Sequence, residues 1–288
     1  MQLSYNKLKS FTDCALKYRY AYVERLPRAP IRALAFHRKL HAALAQYHHF
    51  ARRDGRVRED ELLRAYGQIW ETDRNPELKE TKAYQEGEEI LRRYCERENE
   101  AQRVPAYLEH PIRFSFGPYT LNGKVDRIDY SGENGYSIVD YKLDRELPRF
   151  NAAERSRQLS FYHLLVWESL GVEVEDARLY YLRHGVEQIS VRSRQQIQET
   201  VAWIDEAAAN IRQERRWEPR EGEACRTCPF HAVCPTKTGQ ERPHAPVWNQ
   251  ADMWDLLGTA GETGAPEILK TTETSRTNAT TQTTLDFD

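Results

Sequence analysis

Apolar residues near the start of the chain recur at three- and four-residue steps. Leu3, Leu8, Phe11, Ala15, Tyr18 and Tyr22 follow this spacing, which predicts a short helical opening over 4–22. A proline-containing link, Pro27 to Pro30, precedes a second helix over 31–50, where Leu34, His37, Leu40, His41 and Leu44 keep the helical step. Residues 59–103 are charged, helical in period and broken near Asn75-Pro76. They read as a helical insertion, about 55–104, covering one side of the domain. Beyond Pro105 the period drops to two. Ile112, Phe114 and Phe116 alternate with polar residues as a half-buried strand does, and two more strands follow over 121–129 and 136–143. The Ser131–Gly135 link between them contains Asn134-Gly135, a hairpin-turn signal. Helical spacing resumes over 153–170 and ends at Gly171, a C-cap residue. A strand over 177–183 and a long helix over 194–215 complete the pattern. Helices, a three-stranded antiparallel meander, a crossover helix and a further strand make a mixed α/β domain around a central sheet. It is expected to span 1–240. In the tail, 241–288, Trp248, Trp254, Leu256 and Leu257 could form one docking helix. From Gly258 the Thr, Gly, Ser and Glu content predicts disorder.

Composition narrows this picture only modestly. With 288 residues, 40% hydrophobic and 30% charged, the chain can bury an enzyme-sized core. Its net charge of −2 does not advertise a nucleic-acid ligand, so any DNA contact must come from a local basic groove. No apolar run approaches the roughly 18 residues that a membrane span needs. Met1 to Ser10 is polar, unlike a signal peptide, so a cytoplasmic location is expected and no membrane partner. In that compartment thiols stay reduced, and clustered cysteines point to metal chemistry rather than disulfides.

The strongest chemical signal is Asp126 on one strand with Asp140-Tyr141-Lys142 on its hairpin partner. Strand residues alternate faces, so Asp140 and Lys142 point the same way, and Asp126 on the adjacent strand can reach the same spot. Two carboxylates at such separation form a hard oxygen site suited to Mg²⁺ or Mn²⁺. A lysine beside it can orient a water and stabilise developing negative charge. The bland alternative is a solvated salt bridge at a strand end, since Asp-x-Lys triplets are common. Asp and Lys are nevertheless poor strand formers, and such violations concentrate at functional sites. Two further groups add weight. His41 and His37 stand one turn apart on the second helix, and either imidazole could complete a metal site. Gln158 and Tyr162, also one turn apart, open the helix after the hairpin and could hydrogen-bond the lysine or a phosphate.

A second cluster is made of cysteines. Cys225, Cys228 and Cys234 lie within ten residues, and Cys14 and Cys95 lie far upstream. Three close thiolates plus one more suit either Zn²⁺ or a [4Fe–4S] cluster, and His231 could substitute in a zinc site. Local spacing does not choose between them. Cys95 reads as a buried or free thiol. The cluster would staple the N-terminal helix to the C-terminal loop.

In combination these motifs resemble the RecB-like PD-(D/E)XK nucleases that carry an iron–sulfur cluster, a group including the AddB helicase–nuclease subunit and the CRISPR-associated Cas4-type nucleases. Ser4-Tyr5-Asn6-Lys7-Leu8 with Cys14 is similar to the family's N-terminal motif, and Leu40-His41-Ala42-Ala43-Leu44 to its histidine motif. Gly123 to Asp129, Val139-Asp140-Tyr141-Lys142 and Gln158 with Tyr162 match its remaining motifs in order. The resemblance runs over about 2–235. It implies a restriction-endonuclease-like fold, with Mg²⁺ or Mn²⁺ bound by His41, Asp126, Asp140 and the Tyr141 carbonyl. Lys142 would be catalytic with Gln158 and Tyr162 in support, and Cys14, Cys225, Cys228 and Cys234 would hold [4Fe–4S]. His37 stands where the family usually has glycine, which leaves the choice between the two histidines open. The implied activity is a single-strand-preferring DNA exonuclease in repair, recombination or CRISPR adaptation. Its substrate would be single-stranded DNA or DNA with single-stranded ends, and its partners of helicase or CRISPR type. The alternative is a non-catalytic DNA-binding or scaffold protein of the same fold. No P-loop is present, so the chain is not itself a motor. The closing Gln282 to Asp288 is similar to a sliding-clamp-binding peptide, implying a clamp partner.

Overall fold

The period-two segments assemble as one mixed sheet. In the computed structural model, which describes residues 1–26, 32–71, 82–132 and 135–239, its strands are β1 (Gln2–Leu3), β2 (Pro105–Phe116), β3 (Tyr119–Ser131), β4 (Gly135–Lys142), β5 (Glu173–Tyr181) and β6 (Val186–Ser190). The helices are α1 (Tyr5–Asp13), α2 (Ala15–Tyr18), α3 (Arg32–Asp54), α4 (Glu59–Glu71), α5 (Lys82–Ala101), α6 (Ala152–Arg155), α7 (Arg157–Leu170), α8 (Arg194–Gln213) and the short α9 (Pro235–Thr238). The Pro27–Pro30 link, the Asn75-Pro76 break, Asn134 of the hairpin turn and every expectation for the tail, including its docking helix and its clamp-like end, lie outside the described residues.

The meander β2–β3–β4 is antiparallel throughout. The polypeptide then crosses over through α7 and returns as β5, parallel to β4, with β6 antiparallel beyond it. β2 occupies one edge of β3 along most of its length. The other edge is left to β1 at the start of β3, where Leu3 pairs with Leu121, and to β4 at its end. No described helix is long and apolar enough to cross a membrane.

Alternation divides β4 and β5 between two cores. Ile138, Ala177 and Leu179 pack with Leu159, Phe161 and Leu165 of α7 and Ile204 of α8, all nearly or fully buried. Val139, Tyr141 and Tyr180 turn to the other side, against Leu40 and Leu44 of α3, Leu62 and Tyr66 of α4 and Leu91 and Tyr94 of α5. Burying each such side chain contributes about 1.5–3 kcal/mol, so both helical layers are anchored to the same strands.

Several elements differ from the sequence expectation, among them β1, which was not expected, and three others. β2 begins at Pro105, well before Ile112, because the Tyr107–Pro111 stretch pairs with β3 without clean apolar alternation. The helix expected over 153–170 is two helices. Ser156 is extended (φ −76°, ψ 102°) and its side chain accepts the Leu159 N–H, capping a new start. β6 was not anticipated. It is a five-residue strand reached through a tight turn at Gly185, whose φ of +63° favours glycine. α7 does end at Gly171, in left-handed conformation (φ 65°).

Candidate active site

The site is made where β3 and β4 part. They pair from Ser131 and Gly135 up to Arg127 and Val139, and the next facing residues would be Asp126 and Asp140. The ladder stops there, while β4 keeps its pairing with β5 through Lys142. The Asp126 carboxylate fills in for the missing ladder partner, its Oδ2 accepting the Tyr141 N–H at 2.9 Å. The opening between the strands is reached by α3 from one helical layer and by α7 from the other.

From α7 comes Gln158, in the turn that Ser156 caps. Its Oε1 accepts from Lys142 Nζ at 3.0 Å, and its Nε2 donates to Asp140 Oδ1 at 3.0 Å and to the Tyr162 hydroxyl at 3.2 Å. Lys142 Nζ is ion-paired with Asp140 Oδ2. One amide therefore ties the acid and the amine of the Asp-x-Lys triplet to α7. Gly123 lets the helix come this close, since a Cβ there would stand 2.7 Å from Leu165 Cδ1 and 3.3 Å from the Tyr162 ring. Asp140 is 4% exposed. Burial pushes its carboxyl up to about 6 despite the Lys142 charge, with Asp126 adding to the rise. Burial would lower Lys142, but the Asp140 charge and hydrogen bond reverse this and hold its ammonium protonated.

From α3 comes His41. Its Nδ1 lies 3.1 Å from Glu109 Oε1 and 3.4 Å from Asp126 Oδ1, and its buried Nε2 has no hydrogen-bond partner among the described residues. Burial alone would lower the imidazole pKa, but the hydrogen bonds and charges of Asp126 and Glu109 push it up to about 9. His37 lies beside it, ring centroids 4.0 Å apart and tilted by 37°. The histidines left as alternatives by the sequence thus both stand at the opening, and it is His41 that meets the carboxylates.

Glu109 was missed by the sequence reading. It faces Asp126 across β2 and β3, at the one step where Leu108–Arg127 and His110–Val125 pair on either side and it does not. Its backbone is left-handed (φ 48°), rare for a side chain with a Cβ. Burial would raise the Glu109 carboxyl, but His41 and the ion-paired Lys124 hold it below its ordinary value. The ligand atoms of His41, Glu109 and Asp126 all lie within 4.8 Å of one another. A lone acid in a strand is too weak a sequence signal to separate from a solvated residue.

On the α3–α5 side, the same strands carry a second charged cluster. Arg127 is wholly buried, with both arms on Asp129 at 2.6 Å, Nη2 3.0 Å from Glu98 and Nη1 donating to the Tyr94 hydroxyl at 2.7 Å. Tyr94 and Tyr141 share a hydrogen bond at 2.7 Å, which fixes the Tyr141 ring away from the opening.

The cysteines form a separate corner. Trp217 stacks on Tyr18 (interplanar angle 2°), and Arg220 donates to the Thr12 carbonyl at 2.6 Å, docking the segment after α8 onto α1 and α2. Cys14, Cys225, Cys228 and Cys234 then line one small cavity with His231, over a base of Leu16, Tyr20 and Phe230. None is in a disulfide. The backbone N–H groups of Lys17 and Arg220 both donate to Cys14 Sγ, at 3.4 and 3.3 Å. Burial raises the Cys228 thiol. Cys95 is buried and free, apart from the others.

Comparison with known proteins shows the family. The model of the PD-(D/E)XK nuclease superfamily matches residues 2–235. The chain belongs to that superfamily. The fold agrees: a central mixed sheet flanked by helices is the restriction-endonuclease-like arrangement. A candidate exonuclease from Eubacterium rectale, known from a crystal structure, has a TM-score of 0.53 to this superfamily member over 91% of this chain and 94% of its own, at 13% identity. The crystal structure of SSO0001 aligns over 82% of this chain and 87% of its own at 14% identity, with a TM-score of 0.39 that is too low to argue from. No curated protein sequence matches the chain.

Proposed function

We propose that this nuclease is a divalent-metal-dependent deoxyribonuclease, a single-strand-preferring exonuclease whose cysteine corner carries a [4Fe–4S] cluster. The observation that carries the catalytic reading is the meeting of Asp126, Asp140, Lys142 and Gln158 where two strands separate. The donors suit Mg²⁺ or Mn²⁺: carboxylate oxygens, a carbonyl and an imidazole whose Nδ1 faces two carboxylates. Asp126, Asp140, His41 and the Tyr141 carbonyl would hold that cation, which supplies a Lewis acid and lowers the pKa of water. Lys142 stays protonated, positions the attacking water and offsets negative charge on the phosphate. Gln158 keeps Lys142 and Asp140 in register, and Tyr162 holds the Gln158 amide. Exonuclease action with a single-strand preference follows from the motif resemblance and is tested on its own. Labelled single- and double-stranded DNA of each end type, with Mn²⁺ or with EDTA, reads both polarity and strand preference. Retained cutting by Asp126→Ala, Asp140→Ala and Lys142→Ala alike would sink the catalytic assignment.

For the second centre, four unpaired thiols around one cavity and N–H donors aimed at a sulfur favour a thiolate-bound group. A tetrahedral zinc would draw its sulfurs to about 3.8 Å from one another. The choice of the iron–sulfur group over zinc follows the motif resemblance. Anaerobically purified protein should be brown and contain iron and sulfide, and Cys228→Ser should bleach it. Stoichiometric zinc in place of iron would overturn this part.

A further inference from the structure

Asp126, Asp140 and His41 account for the site in the motif resemblance, yet the fold brings in a third acid that no motif contains. Glu109 comes from β2, the strand on the far side of β3 from Asp140. Its Oε1 approaches the same His41 nitrogen that faces Asp126, at 3.1 and 3.4 Å respectively. Those three residues are the set whose ligand atoms lie within 4.8 Å of one another. His41 itself is 9% exposed, so its Nδ1 is largely shielded where it meets these two part-exposed carboxylates.

The backbone tells against an accidental approach. In a regular ladder the residue opposite Asp126 would direct its side chain according to the strand's alternation. At Glu109 the ladder is interrupted and the backbone turns left-handed, a conformation that costs about 1–3 kcal/mol for a residue with a Cβ unless its surroundings impose it. Lys124, 58% exposed in its side chain, pairs with the outer oxygen Oε2 and leaves Oε1 turned inward.

We infer that Glu109 is a further ligand of the catalytic cation, bound through Oε1 on the side of His41 and Asp126. This rests on the metal-dependent reading above and extends it. Three carboxylates exceed the one or two that usually hold a nucleic-acid-processing Mg²⁺, and they suit Mn²⁺, which accepts oxygen and imidazole together. Binding by such a set would be tight without DNA, whereas a two-carboxylate site leans on substrate phosphates.

The test titrates Mn²⁺ into the full-length protein without DNA, following the free-ion electron paramagnetic resonance signal and calorimetry. Wild type, Glu109→Gln, Glu109→Ala and Lys124→Ala are compared, with thermal melts verifying folding. Both Glu109 variants are expected to bind Mn²⁺ at least about tenfold more weakly, to change the spectrum of the bound ion and to regain cleavage at high Mn²⁺. Lys124→Ala should bind as wild type or tighter, since it removes a competing cation and no ligand. Unchanged Mn²⁺ affinity in folded Glu109→Gln and Glu109→Ala would overturn the inference and leave the nuclease reading intact. Conversely, Glu109-dependent binding in a wild-type protein that cuts no DNA would refute the nuclease reading and keep the ligand.

Discussion

On the α3–α5 side of the sheet, Arg127 lies fully buried between Asp129 and Glu98, and Arg103 pairs with Glu98 and Glu187 at 2.7 and 2.6 Å. One residue away along β3, and one away from Tyr141 along β4, Asp126 and Asp140 sit in a second charged cluster that does not close on itself. Its amine, Lys142, meets one acid, and its histidine is protonated between two others. The first cluster opposes each charge with another and is sealed by packing. The second presents its charges at a gap in the sheet. Buried charges are not themselves a sign of function. What separates the two networks here is the opening between β3 and β4 beside one of them.

The comparison can be broken most sharply by paired substitutions. Asp140→Asn and Lys142→Ala should each lower DNA cleavage at least about a thousandfold, roughly 4 kcal/mol, in protein that remains folded. Gel assays with Mn²⁺ and calorimetric melts check both arms. Arg127→Met should do the opposite. It strands Asp129 and Glu98 in the interior and should cost about 3–5 kcal/mol of stability in urea unfolding, with cleavage per folded molecule within tenfold of wild type. A large loss of cleavage in folded Arg127→Met protein would erase the distinction.

The pH dependence sharpens it further, in metal-free protein. His48 lies buried beside Arg127 and Arg103, and burial first, then those charges, hold it well below the usual histidine range. The unfolded chain takes up that proton near 6.5 and the fold does not. Stability from this group is therefore complete above about 6.5 and declines as pH falls below it. Asp140 has the reverse sign. Its carboxyl is raised to about 6, so the fold binds the proton more tightly than the unfolded chain, and that contribution is lost as pH rises through about 6. With EDTA present, Asp140→Asn should thus be more stable than wild type above pH 7, by up to about 2–3 kcal/mol, with little gain at pH 4. Urea midpoints at the two pH values decide it; equal midpoints at pH 7.5 would show that Asp140 carries no burial penalty.

The smallest effect belongs to Gln158, which reaches the reacting groups only through Lys142 and Asp140. Gln158→Ala should cost about 10–100-fold in kcat with KM for DNA nearly unchanged, and Gln158→Glu should shift the pH profile of cleavage by adding a charge beside Lys142. A loss confined to KM would instead make Gln158 a contact to the nucleic acid.

Much of this was legible in the chain itself, for local reasons. A strand repeats every two residues, so Asp140 and Lys142 had to share a face, and a helix repeats every 3.6, so His37 with His41 and Gln158 with Tyr162 had to share theirs. The meander, the crossover helix and the cysteine spacing are short-range patterns of the same kind. What sequence alone could not contain is where those faces meet. Separation of β3 from β4 at Asp126, the choice of His41 to face the acids, the left-handed turn that delivers Glu109 and the docking of Cys14 beside Cys225 depend on contacts between residues far apart in sequence. The sealing of Arg127 on the opposite face has the same origin. In the sequence it is one more charge beside Asp126, and only packing from α3 and α5 makes it structural. Periodicity is set within a few residues by backbone geometry, whereas charge balance and burial are set by whatever the fold brings alongside.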